Sequence, residues 1–261
     1  MALKALLIDI DGTLLFRGEA ITGANRVLQE AADAGLAVRL LTNISARLPQ
    51  HIAAELRAGG IHAAEDAIQT AGLACSAYLR GQAEASCHLL VPDAMVELFE
   101  GIRQDASKPD FVVIGDVAER FDYALLNGVF RMLREGARLV VPHRNLYWFD
   151  GAGPARLDAG AFIVGLEAAA GQQAIVTGKP SPVFFQAALD AVGVTAAEAL
   201  VVGDDLLTDI EGAKASGIAS VLVRTGKGET PRAPGTAVPG AQLQSIAGLM
   251  PYLRDTGLLA R

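Results

Sequence analysis

The sequence predicts an α/β protein, a doubly wound parallel sheet with a smaller α/β domain inserted into it. Three observations carry this. Short apolar runs alternate with helical patterns from the first residues, the same rhythm returns late in the chain, and a middle section has an alternation of its own. With 261 residues, the chain is long enough for one large or two modest domains. Its residues are 51% hydrophobic but only 5% aromatic, as suits helices packed on an aliphatic sheet.

The elements follow in order. Residues 4–10 read as a buried strand ending in carboxylates, and 24–34 as a helix stopped by Gly35. A strand over 37–42 precedes a helix over 47–58, closed by Gly59 and Gly60. In the middle section, strands are expected at 88–91, 111–114 and 139–141, with helices at 93–103, 122–134 and 159–170. The first rhythm then resumes with strands at 174–177, 200–203 and 220–223 and helices at 182–192 and 209–216. Residues 227–240, with three prolines and three glycines, read as a loop before a last helix over 245–253. No Pro/Gly/Ser-rich linker marks the joints, so motif positions set them: a core of 1–78 and 174–261, and an insert of 79–173.

Composition narrows the function. A net charge of −7 argues against nucleic acid, which rewards a basic face. It also means that a phosphate site must rely on a cation and on local donors. No run approaches the ~20 apolar residues that span a bilayer. The N-terminal apolar run is broken at once by Asp9 and Asp11, unlike a signal peptide, so a cytoplasmic protein is expected. Cys75 and Cys87 fit no metal spacing and are expected as free thiols.

Four polar clusters follow apolar runs, at strand ends where open α/β sheets gather their ligands. The first, Asp9-Ile10-Asp11-Gly12-Thr13-Leu14, sets two carboxylates at i and i+2 on the end of an apolar strand. Burying both is costly without a cation, so a divalent metal is the natural third party. A lone Asp-Gly is more often a turn, but here two acids directly extend the strand. The second, Leu41-Thr42-Asn43, offers a hydroxyl and an amide that can hold phosphate oxygens, or simply cap a helix. The third, Gly178-Lys179-Pro180-Ser181-Pro182, pins a positive charge between prolines; alone it also reads as a surface turn. The fourth runs from Gly203 through Asp204, Asp205 and Thr208 to Asp209. Asp204 is placed to bind a metal, while Asp209 can orient a metal-bound water or Lys179 from behind.

In this order, with an insert between the second and third, the clusters resemble the four motifs of the haloacid dehalogenase superfamily. The position of the insert is similar to that of the NagD-like branch, whose cap is a sizeable α/β unit on a Rossmann-like core. Phe111–Phe121, Tyr123–Leu133, GKPSPVFF, VVGDDLLTDIEGA and VRTGK at 223–227 resemble the phospholysine phosphohistidine inorganic pyrophosphate phosphatase group. The resemblance implies a Mg²⁺-dependent phosphatase. Asp9 is then the nucleophile that becomes an aspartyl-phosphate, and Asp11 the acid/base. Mg²⁺ is held by Asp9, the Asp11 backbone carbonyl and Asp204, with Asp205 and Asp209 supporting. Thr42, Asn43 and Lys179 bind the phosphoryl group. A small phosphorylated substrate, with pyrophosphate and phosphoamino compounds among the candidates, and a homodimer through the cap are also implied by it. The second acid favours phosphatase over dehalogenase, since a halide needs no proton.

The core binds only the phosphoryl group, so leaving-group choice falls to the cap. Asn145 and Tyr147, in the polar and aromatic stretch His143–Trp148, are the candidates there. Two other readings stay open: a phosphotransferase using the same intermediate, and a non-catalytic phosphometabolite-binding protein.

Overall fold

The computed structural model describes residues 3–149, 154–229 and 235–259. The chain divides into two compact units: Met1–Thr42, Pro49–Thr70 and Lys179–Arg261 form the first, Asn43–Leu48 and Ala71–Gly178 the second.

The first unit is built on a six-stranded sheet. Its order is Ala241–Leu243, Ala219–Val223, Ala199–Gly203, Ala5–Asp9, Ala37–Thr42, Ile68–Thr70, every neighbouring pair parallel. The strands of such a sheet are covered on both faces and read as unbroken apolar runs. Ala5–Asp9 is the extreme case, buried at all five positions. Its neighbours come from opposite ends of the chain, with Ile8 facing Val202 on one side and Leu40 on the other. Strand order therefore reverses beside Ala5–Asp9, which opens a crevice at the carboxyl ends of these strands.

Helix ends follow their local chemistry. Ser181 accepts from the Val183 N–H and Pro182 takes the first position of Pro182–Val192, where its missing N–H costs nothing. The expected helix over 47–58 starts at Pro49 for the same reason. The expected helix over 209–216 divides into a wide turn at Leu206–Ile210, capped by Asp205, and the α-helix Glu211–Ala215. The last helix is Leu249–Asp255, preceded by a tighter turn at Ile246–Gly248. Of the expected 227–240 loop, residues 230–234 lie outside the described residues.

The second unit has a four-stranded parallel sheet in the order Ile175–Val176, Arg138–Val141, Phe111–Ile114, Cys87–Leu90. Alternate residues serve its two faces, as the strand period of two requires. Val112, Ile114, Leu139 and Val141 pack with Val129, Leu133, Ile163 and Leu166 from the helices Tyr123–Arg134 and Ala159–Ala170. Phe111, Val113 and Val140 pack on the other face with Leu48, Cys75, Leu79, Met95 and Phe99.

Two expectations change here. The strand expected at 174–177 to reopen the core is Ile175–Val176, and it pairs with Val140 and Val141 in the second unit's sheet. Apolar pattern identifies a buried strand but not the sheet that takes it. The helix expected at 93–103 is a short 3₁₀ segment, Asp93–Phe99; only Met95 and Phe99 are buried from it, so packing supports no longer helix. The helix Ala71–Arg80 and the hairpin of Tyr147–Phe149 with Ala155–Leu157 had no expectation. Among the described residues, no helix is long and apolar enough to cross a membrane.

Candidate active site

Two strand ends of the first unit, and the segment that enters its Pro182–Val192 helix, deliver four buried charged side chains. Asp9 ends the Ala5–Asp9 strand, and Asp204 follows Ala199–Gly203. Asp209 sits on the wide turn after it, and Lys179 lies just before the Pro182–Val192 helix. The exposures are 5% for Asp9, 3% for Asp204, 0% for Asp209 and 6% for Lys179. Charges buried so deeply require partners. Lys179 Nζ donates to Asp9 Oδ1 at 2.5 Å and to Asp209 Oδ1 at 2.7 Å. Asp209 Oδ2 accepts from the Asp205 N–H at 3.1 Å, so both Asp209 oxygens are engaged.

The two remaining acids are each half-satisfied. Asp9 Oδ2 is buried and has no hydrogen-bond partner among the described residues. Asp204 Oδ2 accepts from the Lys227 N–H at 2.6 Å, while no hydrogen bond reaches Oδ1 among the described residues. Carboxylate oxygens of Asp9, Asp204 and Asp209 lie within 4.8 Å of one another.

The electrostatics follow from this crowding. Burial, then the Asp209 charge, push the Asp9 carboxyl well above its ordinary range, against the opposing pull of Lys179. Burial pushes Asp204 up to about 6, although the Lys227 N–H acts against it. For Lys179, burial opposes the charge, but Asp209 and Asp9 outweigh it and hold the ammonium protonated. One ammonium thus serves two carboxylates, and a third acid lies alongside. The donor set is all oxygen, with one unpartnered oxygen on each of Asp9 and Asp204. That set fits a hard divalent cation. Asp209 belongs to the same cluster, but its oxygens are already committed to Lys179 and the Asp205 N–H.

Gly12 makes the approach possible. It turns the chain at φ +90°, and a Cβ there would collide with the Asp204 carboxylate. The Asp9-to-Leu14 segment and Asp204 are therefore packed together through a missing side chain.

The other expected residues are placed as follows. Asp11, two residues past Asp9, is exposed. Thr42 is buried at the end of the Ala37–Thr42 strand, whose Leu41 is the register partner of Asp9. Asn43 follows it in the chain and is half-buried. Asp205 caps the Leu206–Ile210 turn and pairs with Lys227 Nζ at 2.7 Å. Burial would raise its carboxyl, but the Lys227 ammonium and the Leu207 N–H hold it below the ordinary range. Asn145 and Tyr147 belong to the second unit and are exposed, Tyr147 at 59%. The Asn145 carbonyl accepts from the Gly160 N–H at 3.0 Å. His143 is buried in the same unit, its Nε2 3.1 Å from Ser45 Oγ. The Trp148 side chain lies outside the described residues.

One set of contacts had no counterpart in the expectations. Thr225, Gly226 and Lys227 reach the site from the end of the Ala219–Val223 strand. In the sequence the stretch is marked by the resemblance of VRTGK at 223–227, which by itself assigns these residues no role.

Comparison with known proteins agrees with this geometry. A haloacid dehalogenase-like hydrolase family model matches residues 6–103, and a HAD-hydrolase-like model matches 176–248. The human haloacid dehalogenase-like hydrolase domain-containing protein 2 is 37% identical over 226 residues, covering 87% of this chain and 86% of its own. The phospholysine phosphohistidine inorganic pyrophosphate phosphatase of Xenopus laevis is 36% identical over 231 residues, covering 86% and 84%. Among solved structures, NagD from E. coli K-12 superposes with a TM-score of 0.83 at 26% identity, covering 95% of this chain and 98% of its own. With its buried acids at the carboxyl ends of a doubly wound sheet, the chain belongs to the haloacid dehalogenase-like hydrolase family, in the NagD-like branch.

Proposed function

We propose that the protein is a Mg²⁺-dependent phosphatase that hydrolyses small phosphate esters through a phosphorylated Asp9. The observation that carries this is the state of Asp9: buried, held by Lys179 through one oxygen, and left with its other oxygen unpartnered beside Asp204. The phosphatases among the similar proteins support the reaction class.

A carboxylate nucleophile meets repulsion as it nears a phosphate. Lys179 stands against Asp9 and is placed to lessen that repulsion. Asp9, Asp204 and the Asp11 carbonyl would hold the cation. When bound, Mg²⁺ supplies positive charge that keeps Asp9 and Asp204 ionised and neutralises the phosphate oxygens.

In the first step an Asp9 oxygen bonds to phosphorus as the bond to the leaving oxygen breaks, and Asp11 gives that oxygen its proton. In the second, Asp11 takes a proton from water, which attacks the same phosphorus. The bond to Asp9 breaks, releasing phosphate and restoring the carboxylate. Exposure suits Asp11 to this role, because it leaves the carboxyl open to the leaving oxygen and then to the incoming water. Thr42, Asn43 and Lys179 bind the phosphoryl oxygens. Asp209 keeps Lys179 charged and aimed, and Asp205 fixes Asp209 through its N–H.

The insert, 79–173 with its flanking elements, serves in this reading as the cap that selects the leaving group, with Asn145 and Tyr147 as contacts. p-Nitrophenyl phosphate hydrolysis by the purified protein tests the proposal. Turnover should stop with a strong chelator and return with Mg²⁺; hydrolysis that ignores the chelator would overturn it.

A further inference from the structure

The turn after the Ala219–Val223 strand is bonded to the site at three points. Thr225 Oγ1 donates to the Gly12 carbonyl at 2.5 Å, across 213 residues of sequence. The Lys227 N–H donates to Asp204 Oδ2 at 2.6 Å, and Lys227 Nζ to Asp205 Oδ2 at 2.7 Å. Between them Gly226 takes φ +54°, a backbone state that side chains disfavour. A Cβ on Gly226 would strike the Asp204 carboxylate and stand 2.7 Å from Gly12 Cα. The turn therefore lies flat against the acid and against the Asp9-to-Leu14 segment.

We propose that Thr225, Gly226 and Lys227 are positioning residues that make Asp204 a one-oxygen ligand. The Lys227 N–H occupies Oδ2, the bare face of Gly226 limits where the carboxylate can swing, and Thr225 ties the turn to Gly12. Oδ1 is left for the cation. This rests on the metal-dependent reading above, and it concerns how the ligand is held. A carboxylate free to rotate would lose entropy on binding a cation; one already fixed does not. The Lys227 ammonium contributes less to this. Its side chain is 72% exposed, and a surface pair of that kind is screened by solvent and contributes little. A positive charge there also opposes a cation, so the backbone N–H and the two residues before it carry the effect.

The test is calorimetric titration of Mg²⁺ into the full-length protein, stripped of metal, in wild type, Thr225→Val, Thr225→Ser and Gly226→Ala. Supporting ligand geometry is typically worth ~10–100-fold in metal affinity. Thr225→Val should therefore weaken Mg²⁺ binding about 10-fold, Gly226→Ala by that much or more, and Thr225→Ser should restore it to within about 2-fold. Thermal melting in chelator reports folding separately, and Thr225→Val should melt close to wild type there. If Thr225→Val binds Mg²⁺ as wild type does, the clamp is wrong while the metal reading stands. If wild type itself takes up no Mg²⁺, the metal reading fails and the clamp with it.

Discussion

At the residue scale, the site is a problem of buried charge. Asp9 and Asp209 share Lys179, whose side chain is 4% exposed. Breaking such an arrangement by removing one partner leaves unpaired charge inside the fold and costs ~3–5 kcal/mol. Lys179→Met should accordingly lose about that much stability in urea unfolding, besides losing activity. A variant as stable as wild type would show that the two carboxylates shed their charge instead. Asp11 makes no comparable demand on the fold. Asp11→Asn should keep wild-type stability while kcat for p-nitrophenyl phosphate falls ~10²–10⁴-fold, the usual worth of a positioned acid/base. The motif acids were legible in the sequence because each follows an apolar strand, and a charge there has no reason to exist unless it is used. The contacts of the Thr225–Lys227 turn were not legible, although VRTGK at 223–227 carries part of the family resemblance. The turn's bond to Gly12 joins residues 213 apart, and no local pattern encodes a contact of that range.

At the element scale, strands and helices that bury a continuous face were readable, with Ala37–Thr42, Phe111–Ile114, Ala159–Ala170 and Pro182–Val192 as the clearest cases. Elements defined by a partner were not: Ile175–Val176 is a strand of two residues whose sheet is chosen by its pairing with Val140 and Val141. The Ala71–Arg80 helix has an apolar, poorly patterned sequence, buried at Ala71, Ala74, Cys75 and Leu79. Its Cys75 packs in the same cluster as Cys87 of the Cys87–Leu90 strand. Burial pushes the Cys75 thiol up to about 12 and Cys87 up to about 11. Thiolate is the reactive form, so at pH 8 no more than ~10⁻³ of either thiol is reactive. Native protein should resist iodoacetamide at pH 8, and both cysteines should label on unfolding. Rapid labelling of the native protein would contradict that packing. The sign for stability follows. Both folded-state values lie above the ordinary thiol value of 9.0, so stability is intact below pH 9 and falls as pH rises toward 11–12. Helix caps give a smaller check: Asp122 accepts from the Leu125 N–H at 2.8 Å, and Asp122→Ala should cost ~1 kcal/mol in urea unfolding.

At the scale of the whole molecule, the doubly wound sheet explains why residues 9, 42, 179 and 204 are all expected in one reaction. The first strand lies between strands from the two ends of the chain, so its carboxyl end faces the start of both halves. The alternation of elements made that architecture readable, and family membership agrees with it. With a net charge of −7, a phosphate would depend on local groups such as Lys179 for its attraction. What composition and motif do not encode is the leaving group, since no pattern ties exposed residues such as Asn145 and Tyr147 to one substrate. The central claim is that phosphoryl transfer passes through Asp9. Its most direct measurement is mass spectrometry of the protein acid-quenched during p-nitrophenyl phosphate turnover with Mg²⁺. A phosphoryl group should appear on the peptide carrying Asp9, accumulate in Asp11→Asn if water attack is slowed more than phosphorylation, and be absent from Asp9→Asn, which should not turn over. Steady turnover by Asp9→Asn, or wild-type turnover that never labels that peptide under rapid quench, would contradict the account.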